Sequence, residues 1–169
     1  VYQCVMRIGD MFLPKVGTTV SRAEWDKMDM DARSIAYLAN PMEFESTMAN
    51  YLHYATILLN CIVWSPKYQR VVTKAMVREL WFQGHHLEVI GDISCDPNGG
   101  VEFSMETWID DPVFVYHPLT DSSTLGMSGE GIAVMAVTNL PCEFSKDSSE
   151  QFAKDLAHLL PSLVDANFE

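Results

Sequence analysis

The sequence predicts an α/β fold in which a parallel β-sheet is flanked by helices. Two runs, Ala55–Trp64 and Leu87–Ile93, have the continuous apolar character of strands that are buried on both faces. Between them, apolar residues recur at helical intervals from Thr73, a capping residue, to Gly84, a common helix stop. A strand, a helix and a second strand in this order, with a crossover of more than a dozen residues, are typical of a parallel βαβ unit.

Composition places the chain among globular proteins. It has 169 residues, of which 48% are hydrophobic and 20% charged, so an extended disordered chain is excluded. Its net charge of −12, from 11 basic and 23 acidic residues, argues against nucleic acid as a partner, because binding phosphates requires clustered Lys and Arg. No run of 18 apolar residues occurs, so the sequence predicts no membrane span.

The amino-terminal third has weaker patterns. Val1–Ile8 is short, apolar and β-branched, which predicts a strand, and Gly9–Thr19 contains Pro and Gly, which predicts a loop. A capping box that begins at Ser21 predicts the start of a helix. Asn40 followed by Pro41 predicts a second helix start, after which apolar residues recur at roughly helical intervals.

The carboxyl-terminal part predicts two short strands, Val113–Tyr116 and Gly131–Val137, and a final helix from about Asp147. That helix carries one apolar stripe, formed by Phe152, Leu156, Leu159, Leu160 and Leu163. No interior linker or repeat is evident. Residues 1–169 are therefore interpreted as a single α/β unit.

The best candidate for a functional site is the segment Asp92–Gly100, which directly follows a predicted strand. In open α/β sheets, ligands bind outside the carboxyl ends of the strands, and glycines there allow a ligand to approach the backbone. A polar turn without a ligand is the alternative interpretation. A calcium loop is rejected, because Pro97 and Phe103 stand where such a loop requires Gly and Glu.

Other polar or glycine-rich positions are weaker candidates. Asn60 lies in an apolar run and needs hydrogen-bond partners, of which a ligand could be one, whereas Cys61 is most simply a small core residue. His85-His86 is interpreted as a surface turn rather than a metal site. Gly126–Gly131 has the wrong glycine order for a phosphate loop and is interpreted as a flexible hairpin connection. We assign no catalytic residue and no metal ligand.

The four cysteines are far apart in sequence and form no CxxC motif. This pattern indicates free thiols in a reducing compartment. The chain also begins without a Met or a leader pattern, so we expect it to be a piece of a longer protein.

Two regions resemble one enzyme family. Asp92–Asp96 followed by Gly99–Phe103 resembles the "DISAD…GGSIEF" segment of lysine-ketoglutarate reductase, the reductase half of aminoadipate-semialdehyde synthase. Thr138–Phe144, with Ser148–Phe152 and Leu160-Pro161, is similar to the "DNLP…EAS-x-x-F…L-x-P" ending of the same family, which monofunctional saccharopine dehydrogenases share.

Weaker similarities are found at Asn40–Phe44, for the family's "DPAEY", and at Leu59–Trp64, for "INGIYW" or "INCIYL". Together these matches cover most of residues 40–165. The resemblance implies that the chain is only the carboxyl-terminal portion of that reductase. It would form the second part of a Rossmann-like dinucleotide-binding domain, and its final helix would return to a missing substrate domain.

The resemblance also implies a cofactor, NAD or NADP, whose binding residues are shared with the upstream part of the protein. The predicted cofactor-binding residues are Asn60, Cys61, Ile90, Gly91, Asp92, Ile93 and Ser94. The five residues from position 90 onward would line the nicotinamide end, with Asp92 facing the cleft. Asn60 and Cys61 would lie along the cofactor from the neighbouring strand.

Departures from the family leave two hypotheses for function. The glycine fingerprint and the Lys and His of the family lie upstream, and Arg7–Phe12 replaces a basic, His-rich stretch. The chain is either part of a lysine-degrading oxidoreductase that forms or cleaves saccharopine, or a non-catalytic relative within a larger assembly. Its expected partner is the upstream half of its own protein or a complementary chain, with a homo-oligomer or larger complex left open. Mitochondrial and cytoplasmic locations both fit.

Overall fold

The computed structural model describes residues 2–84 and 87–166. It forms two compact units, Val1–Thr138 and Asn139–Glu169. The predicted turn at His85-His86 lies outside the described residues. Among the described residues, no helix has the length and apolar character that a membrane crossing requires.

The first unit holds all seven strands of the described residues and five of their seven α-helices. The helices are α1 (Ile8–Met11), α2 (Arg22–Trp25), α3 (Met30–Ala39), α4 (Met48–Leu52) and α5 (Lys74–Phe82). The strands are β1 (Phe12–Pro14), β2 (Phe44–Ser46), β3 (Ile57–Asn60), β4 (Val89–Asp92), β5 (Val113–His117), β6 (Ser122–Leu125) and β7 (Ile132–Met135).

Five of these strands form the main sheet, in the order β3-β4-β7-β5-β6. β3, β4 and β7 run parallel, and β5 runs antiparallel to both of its neighbours. The predicted parallel pairing of the two apolar runs is confirmed, and Asn60 lies opposite Asp92 at the ends of β3 and β4. The α/β fold with a partly parallel sheet is therefore as the sequence predicts.

α5 joins β3 to β4, and its beginning follows the predicted cap. The Thr73 side chain accepts a hydrogen bond from the backbone N–H of Met76, and the Glu102 carboxylate accepts one from the N–H of Lys74. Val77 and Leu80 of this helix belong to the same core cluster as the sheet residues Ile90, Phe114 and Val134. Helix and sheet therefore share one hydrophobic core.

The prediction that the first apolar run is buried on both faces is wrong. Ile57 and Leu59 have 63% and 65% of their surface exposed. In the part of the chain that the structure describes, β3 is the last strand of its sheet, and nothing covers the face that carries these two side chains. Cys61 follows the end of the strand and is exposed, so it is not the core residue that the sequence suggests.

Of the amino-terminal predictions, the helix start at the Ser21 capping box is confirmed by α2, whereas the other elements differ. Residues 2–7, the part of the predicted strand that the structure describes before α1, form no strand. The Arg7 N–H donates to the Asp10 carboxylate, which starts the short helix α1 where the predicted strand meets the predicted loop. Asn40 and Pro41 begin a 3₁₀ turn, Pro41–Glu43, rather than a long helix. The chain becomes extended at Phe44 because its ring is buried against Trp25 and Tyr37.

The Gly126–Gly131 segment is not a hairpin connection, because β5 lies between β6 and β7 in the sheet. The segment crosses β5 closely: an added Cβ on Gly131 would lie 2.3 Å from the Tyr116 carbonyl oxygen, and its φ is +148°. The true hairpin is formed by β5 and β6, and the sequence analysis missed β6.

The second unit contains a 3₁₀ turn (Leu140–Phe144), α6 (Ser145–Ala157) and α7 (Leu160–Val164). The predicted single final helix is divided, because Pro161 has no N–H to donate to the carbonyl of Ala157. The apolar stripe is therefore shared between two helices. None of the described residues of this unit is buried.

Candidate functional site

The candidate site lies where the parallel strands β3 and β4 end side by side. Asn60 and Asp92, the last residues of these strands, are only 2% and 1% exposed. The Asn60 Nδ2 amide donates a hydrogen bond of 2.8 Å to Asp92 Oδ1. This buried, hydrogen-bonded pair fixes the relative positions of the two strand ends.

Ser104 supplies the second hydrogen bond to Asp92. Its hydroxyl donates to Asp92 Oδ2 over 2.5 Å, and its side chain is 2% exposed. Both carboxylate oxygens therefore accept a hydrogen bond from a neighbouring side chain. The sequence analysis missed Ser104; the one available signal was a hydroxyl residue directly after the apolar Phe103.

Backbone hydrogen bonds continue the connection between the two strand ends. The N–H groups of Ile93 and Ser94 both point to the Asn60 carbonyl oxygen, at 2.9 and 3.3 Å. The Ser94 hydroxyl donates to the carbonyl of Ile62 at 2.6 Å. The segment after β4 is thus held against the segment after β3.

The glycine pair of this segment has a packing role that differs from the expected one. Gly99 and Gly100 are buried, and a Cβ added to Gly99 would lie 2.4 Å from Asp96 Cβ. The Arg70 guanidinium donates to the carbonyl oxygens of Asn98 and Gly99. These glycines allow the turn to close tightly rather than leaving the backbone open to a ligand.

Above the buried pair lies an open cavity of about 280 Å³. It is lined by Cys61, Val63, Ile93, Ser94 and Asp96. Val63 and Ile93 have exposed apolar side chains, whereas Ser94 and Asp96 are polar residues of the lining. The cavity therefore combines an apolar surface with hydrogen-bonding groups at the carboxyl ends of parallel strands, where ligands of α/β proteins bind.

The seven predicted site residues fall into three groups. Cys61, Ile93 and Ser94 line the cavity, whereas Asn60 and Asp92 lie buried close to it. The Asp92 carboxylate does not face the cleft as expected, because both of its oxygens are hydrogen-bonded within the protein.

The remaining two residues lie within β4. Ile90 is a core residue, and Gly91 is buried where a Cβ would lie 2.7 Å from Leu59 Cδ2. Gly91 therefore allows the Leu59 side chain of β3 to pack across β4. Both residues support the strand end and do not line the cavity.

The electrostatic environment of this region is negative. Burial, followed by the carboxylates of Asp92, Glu106 and Asp96 in that order, raises the pKa of the Cys95 thiol to about 11. The backbone of Cys95 has a φ of +51°, and its thiol donates to the carbonyl of Ala136. Cys95 is therefore a protonated structural thiol and not a nucleophile at neutral pH.

A larger cavity of about 420 Å³ lies beside Lys74, Tyr116 and Asp121. Its main polar groups already bind one another: Lys74 Nζ lies 2.7 Å from Asp121 Oδ1, and the Tyr116 hydroxyl donates to the same carboxylate oxygen. We place the candidate site at the strand ends instead, because that cavity lies at the carboxyl ends of parallel strands and no ion pair joins the described residues that line it. Among the described residues, no group of three His, Cys, Asp or Glu side chains is arranged to hold a metal ion.

Comparison with known proteins identifies relatives of this chain. It is 32% identical to alpha-aminoadipic semialdehyde synthase of Arabidopsis thaliana over 165 residues, which cover 97% of this chain and 15% of the plant protein. It is 29% identical to the mitochondrial alpha-aminoadipic semialdehyde synthase of Bos taurus over 74% of this chain and 16% of the bovine protein. No protein-family model matches the chain. The chain thus spans only about a sixth of the length of these curated relatives.

Proposed function

The chain belongs to the family of the alpha-aminoadipic semialdehyde synthases, of which it matches one segment, and from this premise we propose that it is part of a lysine-degrading oxidoreductase. In this proposal it forms the second part of a Rossmann-like domain, and its final helices return to a substrate domain. The observation that carries the proposal is the parallel pairing of β3 and β4 beside an open cavity at their carboxyl ends.

The lining of the cavity fits one end of a nicotinamide dinucleotide. About 280 Å³ is at the lower limit for a small-molecule site, so it suits a single ring rather than a whole dinucleotide. Val63 and Ile93 offer an apolar surface for the ring. The Ser94 hydroxyl donates its proton to the Ile62 carbonyl, so its oxygen can accept a hydrogen bond from the amide of the ring. None of the five lining residues is Lys or Arg, so the phosphates would be bound elsewhere.

The cofactor, NAD or NADP, supplies hydride transfer when bound, and the residues of this chain bind and orient it. Cys61, Ile93 and Ser94 contact it in this proposal. Asn60, Ile90, Gly91 and Asp92 hold the strand ends that carry those contacts. The reaction of the whole protein would form or cleave saccharopine from lysine and 2-oxoglutarate, with proton-transfer groups supplied by the preceding part.

The open edge of β3 supports a partner on that side. Its exposed Ile57 and Leu59 are the kind of apolar strand surface that another strand or helix normally covers. We propose that the upstream half of the protein, or a complementary chain, covers it. The relatives are long enough to supply such a segment, since this chain accounts for 15% of the plant protein.

We propose a mitochondrial location, because the bovine relative is named as mitochondrial. The free cysteines fit a reducing compartment. Cell fractionation with an antibody to the native protein distinguishes this location from the cytoplasm.

Cofactor titration tests the proposed function. NADH and NADPH are titrated into the chain alone and into the chain joined to the part that precedes it in its relatives, with cofactor fluorescence as the readout. We expect binding by the joined protein and at least tenfold weaker binding after Ile93→Glu. The matched control is Ile35→Glu, since Ile35 is an exposed residue of α3. Absence of binding in both samples would support the non-catalytic alternative.

A further inference from the structure

We propose that the cavity at the ends of β3 and β4 binds the oxidised, positively charged nicotinamide ring more tightly than the reduced, neutral ring. The inference rests on the proposed function, because it concerns the preference of that site between two forms of its ligand. It assigns to Asp96, which the sequence analysis did not include among the cofactor-binding residues, the role of a specificity-determining residue.

The arrangement of charges around the cavity supports this preference. Asp96 lines the cavity, and Asp92 lies buried at the end of β4 with both of its oxygens hydrogen-bonded by the neutral side chains of Asn60 and Ser104. The guanidinium of Arg70 donates to backbone carbonyls and approaches Glu102 at 3.7 Å, and Arg70 is not among the residues that line the cavity.

The Cys95 thiol is an internal probe of the same field. Cys95 lies between the two carboxylates in sequence, and those of Asp92, Glu106 and Asp96 all raise its pKa. Each of them therefore disfavours negative charge at this loop. The same field favours a positive charge placed in the adjacent cavity.

Hydride transfer changes the charge that this field acts on. When the oxidised ring accepts a hydride, two electrons and one proton enter the ring and its positive charge disappears. A carboxylate several ångströms away attracts only the oxidised form, and the open cavity reduces that attraction through solvent screening. We therefore expect a preference of a few-fold to about tenfold in dissociation constant rather than a larger one.

The test compares the oxidised and reduced forms of nicotinamide mononucleotide, using the chain joined to the part that precedes it in its relatives, as in the cofactor titration. The two forms share their phosphate, so the ratio of their dissociation constants reports on the charge of the ring. Binding is followed by NMR through the amide signals of Ile93 and Ser94. We expect tighter binding of the oxidised form and a ratio that approaches one in Asp96→Asn. The control Glu130→Gln removes the same charge from the segment that precedes β7, at the amino ends of the parallel strands and so at the end opposite the cavity, and leaves the ratio unchanged.

A change of ionic strength tests the same proposal without a variant. Raising the salt from about 0.01 M to about 1 M shortens the Debye length from about 30 Å to about 3 Å, so the preference for the oxidised form should fall. Equal binding of the two forms, or tighter binding of the reduced form, would overturn the inference but not the proposed cofactor site. If neither form shifts the signals of Ile93 and Ser94, the cavity as a cofactor site is overturned as well.

Discussion

Asn60 and Asp92 lie opposite each other in the parallel register of β3 and β4, and their side chains are joined by a hydrogen bond of 2.8 Å. Both residues are almost fully buried. If one of the two side chains were removed, the other could not form a replacement hydrogen bond with bulk water. The pair therefore couples the order of the two strand ends to the shape of the cavity beside them.

A double-mutant cycle of Asn60→Ala and Asp92→Ala measures this coupling. Each single variant leaves one buried polar group without its partner, which costs about 1–3 kcal/mol of unfolding free energy. We expect the double variant to lose less than the sum of the single losses, by about 1 kcal/mol or more, as residues in direct contact do. Urea unfolding followed by circular dichroism gives the unfolding free energies of the wild type and of the three variants. Strict additivity would contradict the coupling.

Ser104→Ala tests the second hydrogen bond of Asp92. Removing the hydroxyl leaves Asp92 Oδ2 without its side-chain donor in a buried position, so we expect a loss of about 1–3 kcal/mol in unfolding free energy. Ser123→Ala is the matched control, because Ser123 is an exposed residue of β6 and should change stability by less than about 0.5 kcal/mol. Equal effects of the two substitutions would show that the bond to Asp92 contributes nothing.

The parallel pairing was predictable because its causes are local. Thr73 provides a cap, and Val77 and Leu80 follow at helical spacing, so the crossover between β3 and β4 is a helix of sufficient length. A crossover of that kind permits parallel pairing and excludes a tight hairpin. Sequence reasoning is reliable for such features, since each depends on a few neighbouring residues.

The contact between Ser104 and Asp92 was not predictable, because it depends on the path of a twelve-residue segment and on its packing. The burial of β3 was misjudged for a related reason. An apolar run predicts a buried strand only if other elements cover it, and in the described residues none covers Ile57 and Leu59. The proposed upstream partner would account for the difference, since the run would then be buried in the longer protein.

Two glycine substitutions separate backbone strain from steric contact. Gly17 and Gly131 both have a positive φ, but a Cβ on Gly17 would meet nothing within 4 Å, whereas one on Gly131 would lie 2.3 Å from the Tyr116 carbonyl oxygen. We expect Gly17→Ala to cost about 1 kcal/mol through its φ alone. Gly131→Ala should cost about 3 kcal/mol of unfolding free energy or prevent folding, because the added Cβ would force the segment between β6 and β7 away from β5. Thermal unfolding compares the two, and equal costs would contradict the close approach to β5.

The titration of Cys95 tests the negative field beside the cavity. Burial, followed by the nearby carboxylates, raises its pKa from 9.0 to about 11. The thiolate fraction at about pH 8 is therefore about a hundredfold lower than for an ordinary cysteine, since each unit is a factor of ten. In a variant whose other three cysteines are Ser, alkylation by iodoacetamide should be slow and should accelerate up to about pH 11. A variant that keeps only the exposed Cys61 is the control, and a Cys95 rate that levels off below about pH 9 would contradict the raised pKa.

Because the folded protein holds this proton more tightly than the unfolded chain, Cys95 also contributes stability below about pH 9 that is lost as the pH rises toward 11.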